Sequence, residues 1–413
     1  MPGDERGSGE RPALARLFAI PTQAFAADHW GSGPLFTRAA DRGRGFGDLF
    51  SADAVDELVT RRGLRTPFVR MAKEGTVLNP SRYTASGGFG AEIADQVSAD
   101  KVLDEFAGGA TLVLQGLHRT WAPLAEYTRA LVADIGHPVQ VNAYITPASA
   151  RGFDPHYDVH DVFVIQIAGE KRWRIHAPVH PSPLRDQPWE GHRAEVARQA
   201  ENPPEIDETF RPGDVLYLPR GWIHSATALG GTSIHLTIGV AALTRHDLLT
   251  EALARAAHDE GLRTALPLGV DLGDEGVVAA LVAAAVDDLA RFSRADPGQA
   301  EQVSRRLARR VRDATRPEPI APLATVDGAA ALHEATTVSF RHGLDARADT
   351  SDPARVTLLL PGKTVVLPGE AADAVAAVLT GDTIRAGDLP GLDPASSLVV
   401  ARRLVREGVL VVR

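Results

Sequence analysis

The sequence predicts a mixed α+β chain in three parts: an antiparallel barrel or sandwich, a run of helices, and a small helix-and-strand module at the end. Three observations carry this. Between residues 139 and 240, short β-branched and aromatic runs recur between Gly, Pro and Asp, the pattern of closely connected strands. After Val240 these runs give way to apolar residues at three- and four-residue spacing, which reads as helix. At 413 residues, the chain exceeds what one ordinary core encloses, so two or three domains are expected.

Taken in order, residues 1–13 are polar and Gly-rich and are expected to be disordered. Residues 14–136 alternate short helices with loops. Helices are expected at 53–62, with Ser51 as a possible N-cap, at 98–108, and at 120–135, where Gly136 ends the helix. The apolar run 110–115 suits a buried strand. Strands then follow at 139–145, 159–167, 172–176, 214–218 and 233–240. Residues 178–204 form a Pro-rich excursion, too long for a hairpin loop. Helices are expected at 245–261, 275–292 and 298–314, and Pro317, Pro319 and Pro322 read as a linker. The last part reads as a strand (336–341), a hairpin (356–367) turning at Pro361-Gly362, helices at 370–379 and 394–407, and a strand (409–412). That order indicates a winged-helix-like module. The expected divisions are therefore 14–240, 241–316 and 323–413.

Composition narrows the chemistry. No cysteine is present, so disulfides and thiolate metal sites are excluded. Any metal must be held by His, Asp, Glu, Asn or water. The formal net charge of -9 argues against a general nucleic-acid binder. Arg402, Arg403 and Arg406 share a predicted helix, but Asp373, Asp382, Asp388, Asp393 and Glu407 surround them, so direct nucleic-acid binding is not expected. No apolar run reaches membrane-spanning length: residues 276–289 are apolar but short, and carry Asp287 and Asp288. The N-terminus does not read as a signal peptide, and a cytoplasmic protein is expected.

The informative segment is His156-Tyr-Asp158. If it is extended, residues two apart share a face, so an imidazole and a carboxylate project together. Downstream, Gly213 to His224 reads as a strand, a Pro-Arg-Gly turn, and a histidine opening the next strand. Two histidines and one carboxylate on one face of an octahedral ion leave three positions open, the arrangement of non-haem iron oxygenases. His-x-Asp alone is a weak signal; the turn and its histidine inside a strand-rich segment strengthen it. Lys171, in Gly169-Glu-Lys-Arg, reads equally well as a solvated hairpin residue.

His156-Tyr-Asp158, Val162-Phe-Val-Ile-Gln166, Lys171-Arg-Trp173-Arg, Leu218-Pro-Arg-Gly-Trp-Ile-His224 and His235-Leu-Thr237 together resemble the JmjC ribosomal oxygenases. Val141-Asn142-Ala-Tyr144 and Gly152-Phe-Asp-Pro extend the resemblance, which is strongest over 139–240. It implies a double-stranded β-helix (cupin/JmjC) barrel, a helical dimerisation domain and a C-terminal winged helix. His156, Asp158 and His224 would be the Fe(II) ligands, with 2-oxoglutarate and O2 as cosubstrates. Lys171 would pair with the distal carboxylate of 2-oxoglutarate, where an unpaired charge would be costly. Asn142 and Tyr144 would face the same cavity; Thr237 and, more weakly, Ser233 would be polar contacts to the cosubstrate. No catalytic residue beyond the metal ligands is needed.

His160 is left outside the ligand set, and His235 reads as a packing or supporting residue. Trp173 and Phe163 read as core aromatics, and His176, His180 and His192 as solvent-facing. The implied substrate is a protein side chain, a His or Arg of a ribosomal protein, and the implied assembly is a homodimer. Asp186, Glu190 and Glu195 of the excursion would suit a basic chain. Competing readings are a hydroxylase of a peptide natural product or small molecule, a non-catalytic JmjC-like scaffold, and a sugar isomerase or storage cupin.

Overall fold

The computed structural model describes residues 11–90, 92–148 and 154–413. Of the stretch 1–13 expected to be disordered, residues 1–10 lie outside the described residues. Pro12–Ala15 already forms a helical turn that buries Ala13 and Leu14. Gly152 and Phe153 also lie outside the described residues. The chain packs as two units, Met1–Ala242 and Leu243–Arg413.

The first unit is built on one nine-stranded antiparallel sheet. Its strands are β1 (Leu35–Thr37), β2 (Val69–Lys73), β3 (Thr76–Val77), β4 (Thr111–Leu114), β5 (Val139–Thr146), β6 (Asp161–His176), β7 (Ile206–Phe210), β8 (Val215–Leu218) and β9 (Ile223–Val240). In space they run β1-β8-β6-β9-β5-β4-β2-β3, with β7 added on β6. Short apolar runs make the strands, as the sequence predicts, but two boundaries differ. The runs 159–167 and 172–176 belong to one bent strand, β6. Likewise, 233–240 is only the second half of β9, which begins at Ile223. In each strand an irregular, Gly-containing stretch breaks the sequence pattern without breaking the strand: Gly169 in β6, and Gly230-Gly231 in β9. The strand β7 follows directly on the Pro-rich excursion and has no strong alternation to announce it.

Alternation along β6 and β8 sorts side chains between two faces. Val162, Val164, Trp173, Ile175, Phe210, Leu216 and Leu218 pack together on the inner side. Phe163 and Tyr217 point outward, where Phe18 and Phe25 of the N-terminal segment meet them in tilted and edge-on contacts. Predicted helices form at Ala52–Arg61, Ala99–Ala107 and Ala122–Ile135. Ser51 caps the first by accepting from the Ala54 amide, and left-handed Gly136 ends the last.

The second unit holds helices Arg245–Ala256, Glu275–Ala295 and Gln299–Ala314. A capping box between Thr244 and Asp247 starts the first. The terminal part has its own core, including Val338, Val356, Leu358, Val375, Val378, Leu404 and Val409. It contains the predicted hairpin (Arg355–Leu360 with Lys363–Pro368) and helices Ala372–Leu379 and Pro394–Arg406. Pro322 does not belong to the linker: it opens a further helix, Pro322–Ala331, where a missing amide hydrogen is harmless. Arg402 donates to the Ala329 and Leu332 carbonyls, and Arg403 pairs with Glu407. Among the described residues, no helix is long and apolar enough to cross a membrane.

Candidate active site

His156 and His224 meet through the backbone. The His156 amide donates to the His224 carbonyl at 3.2 Å, and the His224 amide returns the bond at 2.8 Å. Residues paired this way point their side chains to one face, and the two rings lie 4.4 Å apart. The Pro-Arg-Gly turn is tied to the same segment, since the Gly221 amide donates to the Asp158 carbonyl at 3.0 Å. Gly221 has φ +89, and a Cβ there would meet the His180 carbonyl at 2.6 Å, so this turn requires glycine. Residues 157–160 are not a strand, contrary to the extended reading; the bridge at His156 and the turn at Gly221 bring Asp158 to the histidines instead.

Both imidazoles are oriented by carbonyl oxygens. His156 Nδ1 lies 2.7 Å from the Asp154 carbonyl, and His224 Nδ1 lies 3.2 Å from that of Trp222. A carbonyl can only accept, so each Nδ1 carries the proton and each Nε2 keeps its lone pair, the form that ligates metals. His224 Nε2 stands 3.8 Å from Asp158 Oδ2. Among the described residues, no three His, Asp or Glu side chains are drawn into a closed metal cage. Burial, and then the neighbouring His156, push the His224 imidazole down to about 4. Burial opposes the charge on Asp158, but His224, His160 and His156 outweigh it and hold the carboxyl below its usual range.

These groups line a cavity of about 550 Å³ inside the barrel. Its wall follows the two-residue period: Asn142, Tyr144 and Thr146 from β5, Lys171 and Trp173 from β6, and His235 and Thr237 from β9. Lys171 is buried, and its Nζ donates to Thr146 Oγ1 at 3.2 Å. Burial without a nearby carboxylate lowers its amine from 10.5 to about 7. The solvated-hairpin reading of Lys171 is therefore excluded. On the paired strands, Lys171 faces Ala228 and His224 faces Ile175. Four residues thus separate the lysine from the histidine along the wall, about 13 Å at ~3.3 Å per residue.

Tyr144 lies in the cavity and stacks on His235 at 5.0 Å, and its hydroxyl is pushed up by burial. Asn142 Oδ1 accepts from the Gly116 amide at 3.1 Å. His235 is buried against Trp173 and is held neutral by burial and by Lys171. His160 also lines the cavity; its ring lies where a Cβ on Gly239 would come within 2.5 Å. Ser233 does not reach the cavity wall: it is fully buried and accepts from Gln166 Nε2 at 2.8 Å. His176 is buried at the end of β6, not solvent-facing, because β9 pairs against it. His180 and His192 are half-buried and stacked 4.8 Å apart. The excursion borders the cavity through Trp189, Glu190 and Arg193.

Sequence reasoning missed the network that holds the turn before His224. Asp161 is fully buried and accepts from the Tyr217 hydroxyl at 2.9 Å and the Arg220 amide at 3.0 Å. Its signal was an aspartate inside an apolar strand, which demands partners.

An antiparallel barrel enclosing two histidines, an aspartate and a buried lysine defines a cupin-type, JmjC-like fold. Residues 120–248 match the family model of the JmjC domain. It is 30% identical over 270 residues to the bifunctional lysine-specific demethylase and histidyl-hydroxylase NO66 of Drosophila persimilis, covering 62% of this chain and 36% of that protein. It is 29% identical over 228 residues to ribosomal oxygenase 1 of Gallus gallus, covering 54% and 36%. The chain thus spans little more than a third of the length of these relatives. The fold is similar to that of YcfD, a ribosomal oxygenase from Escherichia coli solved with cobalt and 2-oxoglutarate. The TM-score is 0.50 at 17% identity, over 96% of this chain and 99% of that one.

Proposed function

We propose that this chain is an Fe(II)- and 2-oxoglutarate-dependent oxygenase that hydroxylates a protein side chain, a His or Arg of a ribosomal protein, in the cytoplasm. One observation carries the reading: a buried lysine with no carboxylate partner among the described residues shares a cavity with two histidines in their ligating form and an aspartate. An unpaired cation in a protein interior calls for an anion. Trp173 neighbours both groups, with Lys171 Nζ 5.9 Å and the His224 ring 6.2 Å from its ring centre, a spacing that suits a short dicarboxylate reaching from one to the other. The donor set of imidazole and carboxylate suits ferrous iron. His156, Asp158 and His224 would hold it, and the E. coli protein of similar fold, solved in complex with cobalt and 2-oxoglutarate, is consistent with a divalent ion there.

When bound, iron with 2-oxoglutarate supplies the oxidising chemistry: one oxygen atom of O2 enters the substrate, and the other enters succinate as CO2 leaves. The protein's part is positioning and exclusion. Lys171, steadied by Thr146, binds the distal carboxylate. Val162, Val164, Trp173 and Leu218 keep the inner wall apolar and exclude water. Tyr144, Asn142 and Thr237 offer polar contacts around the cosubstrate. Trp189 and Glu190 line the cavity from the excursion and would meet the substrate first.

The second unit supports a homodimer. The helix Glu275–Ala295 has no buried residue and exposes Val277, Val282 and Val286, while Leu248, Leu249 and Leu253 are exposed on the helix before it. Such apolar surface fits an interface.

The test is 2-oxoglutarate turnover with Fe(II), comparing the native chain with His156→Ala. Succinate formation that survives the substitution would sink the ligand assignment. Ribosomal proteins treated with the enzyme should gain about 16 Da, one inserted oxygen; no mass change on any of them would sink the substrate assignment.

A further inference from the structure

Lys171 faces the cavity only because β6 changes face partway along its length. Val162 and Val164 line the cavity from even positions, Lys171 and Trp173 from odd ones. A strand's side chains alternate with a period of two, so an uninterrupted β6 would turn Arg172 and Arg174 inward and Lys171 outward. In the structure, these arginines sit outside and pair with Asp207. The change occurs at a bulge. His235 of β9 faces Gln166 and Ile234 faces Ala168, leaving Ile167 without a partner. Just beyond it, Gly169 has φ +64, and a Cβ there would lie 2.2 Å from the Thr232 carbonyl.

One buried side chain clamps this irregularity. Gln166 Nε2 donates to the Ala168 carbonyl at 2.8 Å, the Gly169 carbonyl at 3.2 Å and Ser233 Oγ at 2.8 Å. It therefore ties both strands together at the point where the alternation shifts. Its own backbone is anchored as well: its amide donates to the Asp214 carbonyl, and its carbonyl accepts from Gly213.

We infer that Gln166 is a positioning residue for the cosubstrate: by clamping the bulge at Ile167–Gly169 it fixes which face of β6 enters the cavity, and so delivers Lys171 to the dicarboxylate. This rests on the assignment of Lys171 to 2-oxoglutarate. Gln166 acts through Lys171 and touches neither the cosubstrate nor the metal ligands.

The experiment is calorimetric binding of 2-oxoglutarate to the full-length, Fe(II)-loaded protein without oxygen, with Fe(II) affinity measured separately. Gln166→Leu should weaken 2-oxoglutarate binding about tenfold or more while leaving Fe(II) affinity within about twofold. In turnover, KM for 2-oxoglutarate should rise while kcat at saturation is kept. In a Lys171→Met background, Gln166→Leu should add less than about twofold, because both substitutions remove the same contact. Ser233→Ala, which removes one of three acceptors, gives a milder variant with an expected loss of about threefold should Gln166→Leu not fold. Unchanged 2-oxoglutarate binding in these variants overturns the inference. So does an equal loss with and without Lys171, or a parallel loss of Fe(II) affinity. Should Lys171→Met itself leave 2-oxoglutarate binding intact, the cosubstrate assignment fails and this inference with it.

Discussion

Replacing Lys171 with Met should make the ligand-free protein more stable while sharply weakening its response to 2-oxoglutarate. Methionine keeps the length and apolar stem of lysine and removes the charge. The cost of that charge follows from burial. The amine falls from 10.5 to about 7 in the fold, with no anion to offset the loss of water. At about 1.36 kcal/mol per pH unit, the gap is on the order of 5 kcal/mol. This is an upper limit, because water entry and small rearrangements relieve part of it.

The sign fixes the pH dependence. Between pH 7 and 10.5 the unfolded chain holds a proton that the fold has lost, so the native protein gains stability as pH rises through that window. Below pH 7 both states are charged and the full penalty applies. Lys171→Met should therefore exceed the native chain by up to about 5 kcal/mol at pH 6 and about 2 kcal/mol at pH 9. Urea melts of the first unit's transition at the two pH values measure this. With metal saturating in both, 2-oxoglutarate at 100 times its native Kd should then stabilise the native chain by a further ~2.7 kcal/mol and the variant by much less. A variant less stable than the native chain at pH 6, or a difference that does not change with pH, would refute the argument that Lys171 is a buried, uncompensated cation.

Other perturbations test other parts of the site. Asp161→Ala should cost about 3–5 kcal/mol, because it strips a buried carboxylate from Tyr217 and Arg220; it should also weaken metal binding through the turn before His224, and denaturation with metal titration reads both. Gly239→Ala places a Cβ within 2.5 Å of the His160 ring, so a loss of about 1–3 kcal/mol is expected, with turnover falling because the ring must move in the cavity; unchanged melting would show that His160 is free to yield. Metal binds the neutral imidazole, and His224 gains its proton only near pH 4. Protonation of this ligand should therefore not weaken metal affinity between pH 7 and 5, and a titration by competition with a chelator checks it against His224→Ala.

Which parts of this site were legible in the sequence depends on how far apart its determinants lie. Ser51 and Gly136 act within one helical turn, and their roles can be read directly. The alternation of Val162 and Val164 is equally local. The convergence of His156 on His224 is not: it depends on a backbone pair between residues 68 positions apart, and no regular strand runs through Asp158 to bring it about. Lys171 is the sharpest case. From its neighbours alone, Gly-Glu-Lys-Arg is a solvent-facing turn. Counting by twos from Val164 also sends Lys171 outward, and only the bulge at Ile167 reverses it. The signal for that reversal was present as Gln166, a polar residue in an apolar strand three positions before a glycine. The N–H groups of a buried amide must find partners, and those that Gln166 finds are the two carbonyls of the irregular stretch and a serine on the facing strand. Polar residues out of step with a strand's pattern thus mark where its alternation breaks, and in this barrel such a break puts the lysine, not the arginine beside it, inside.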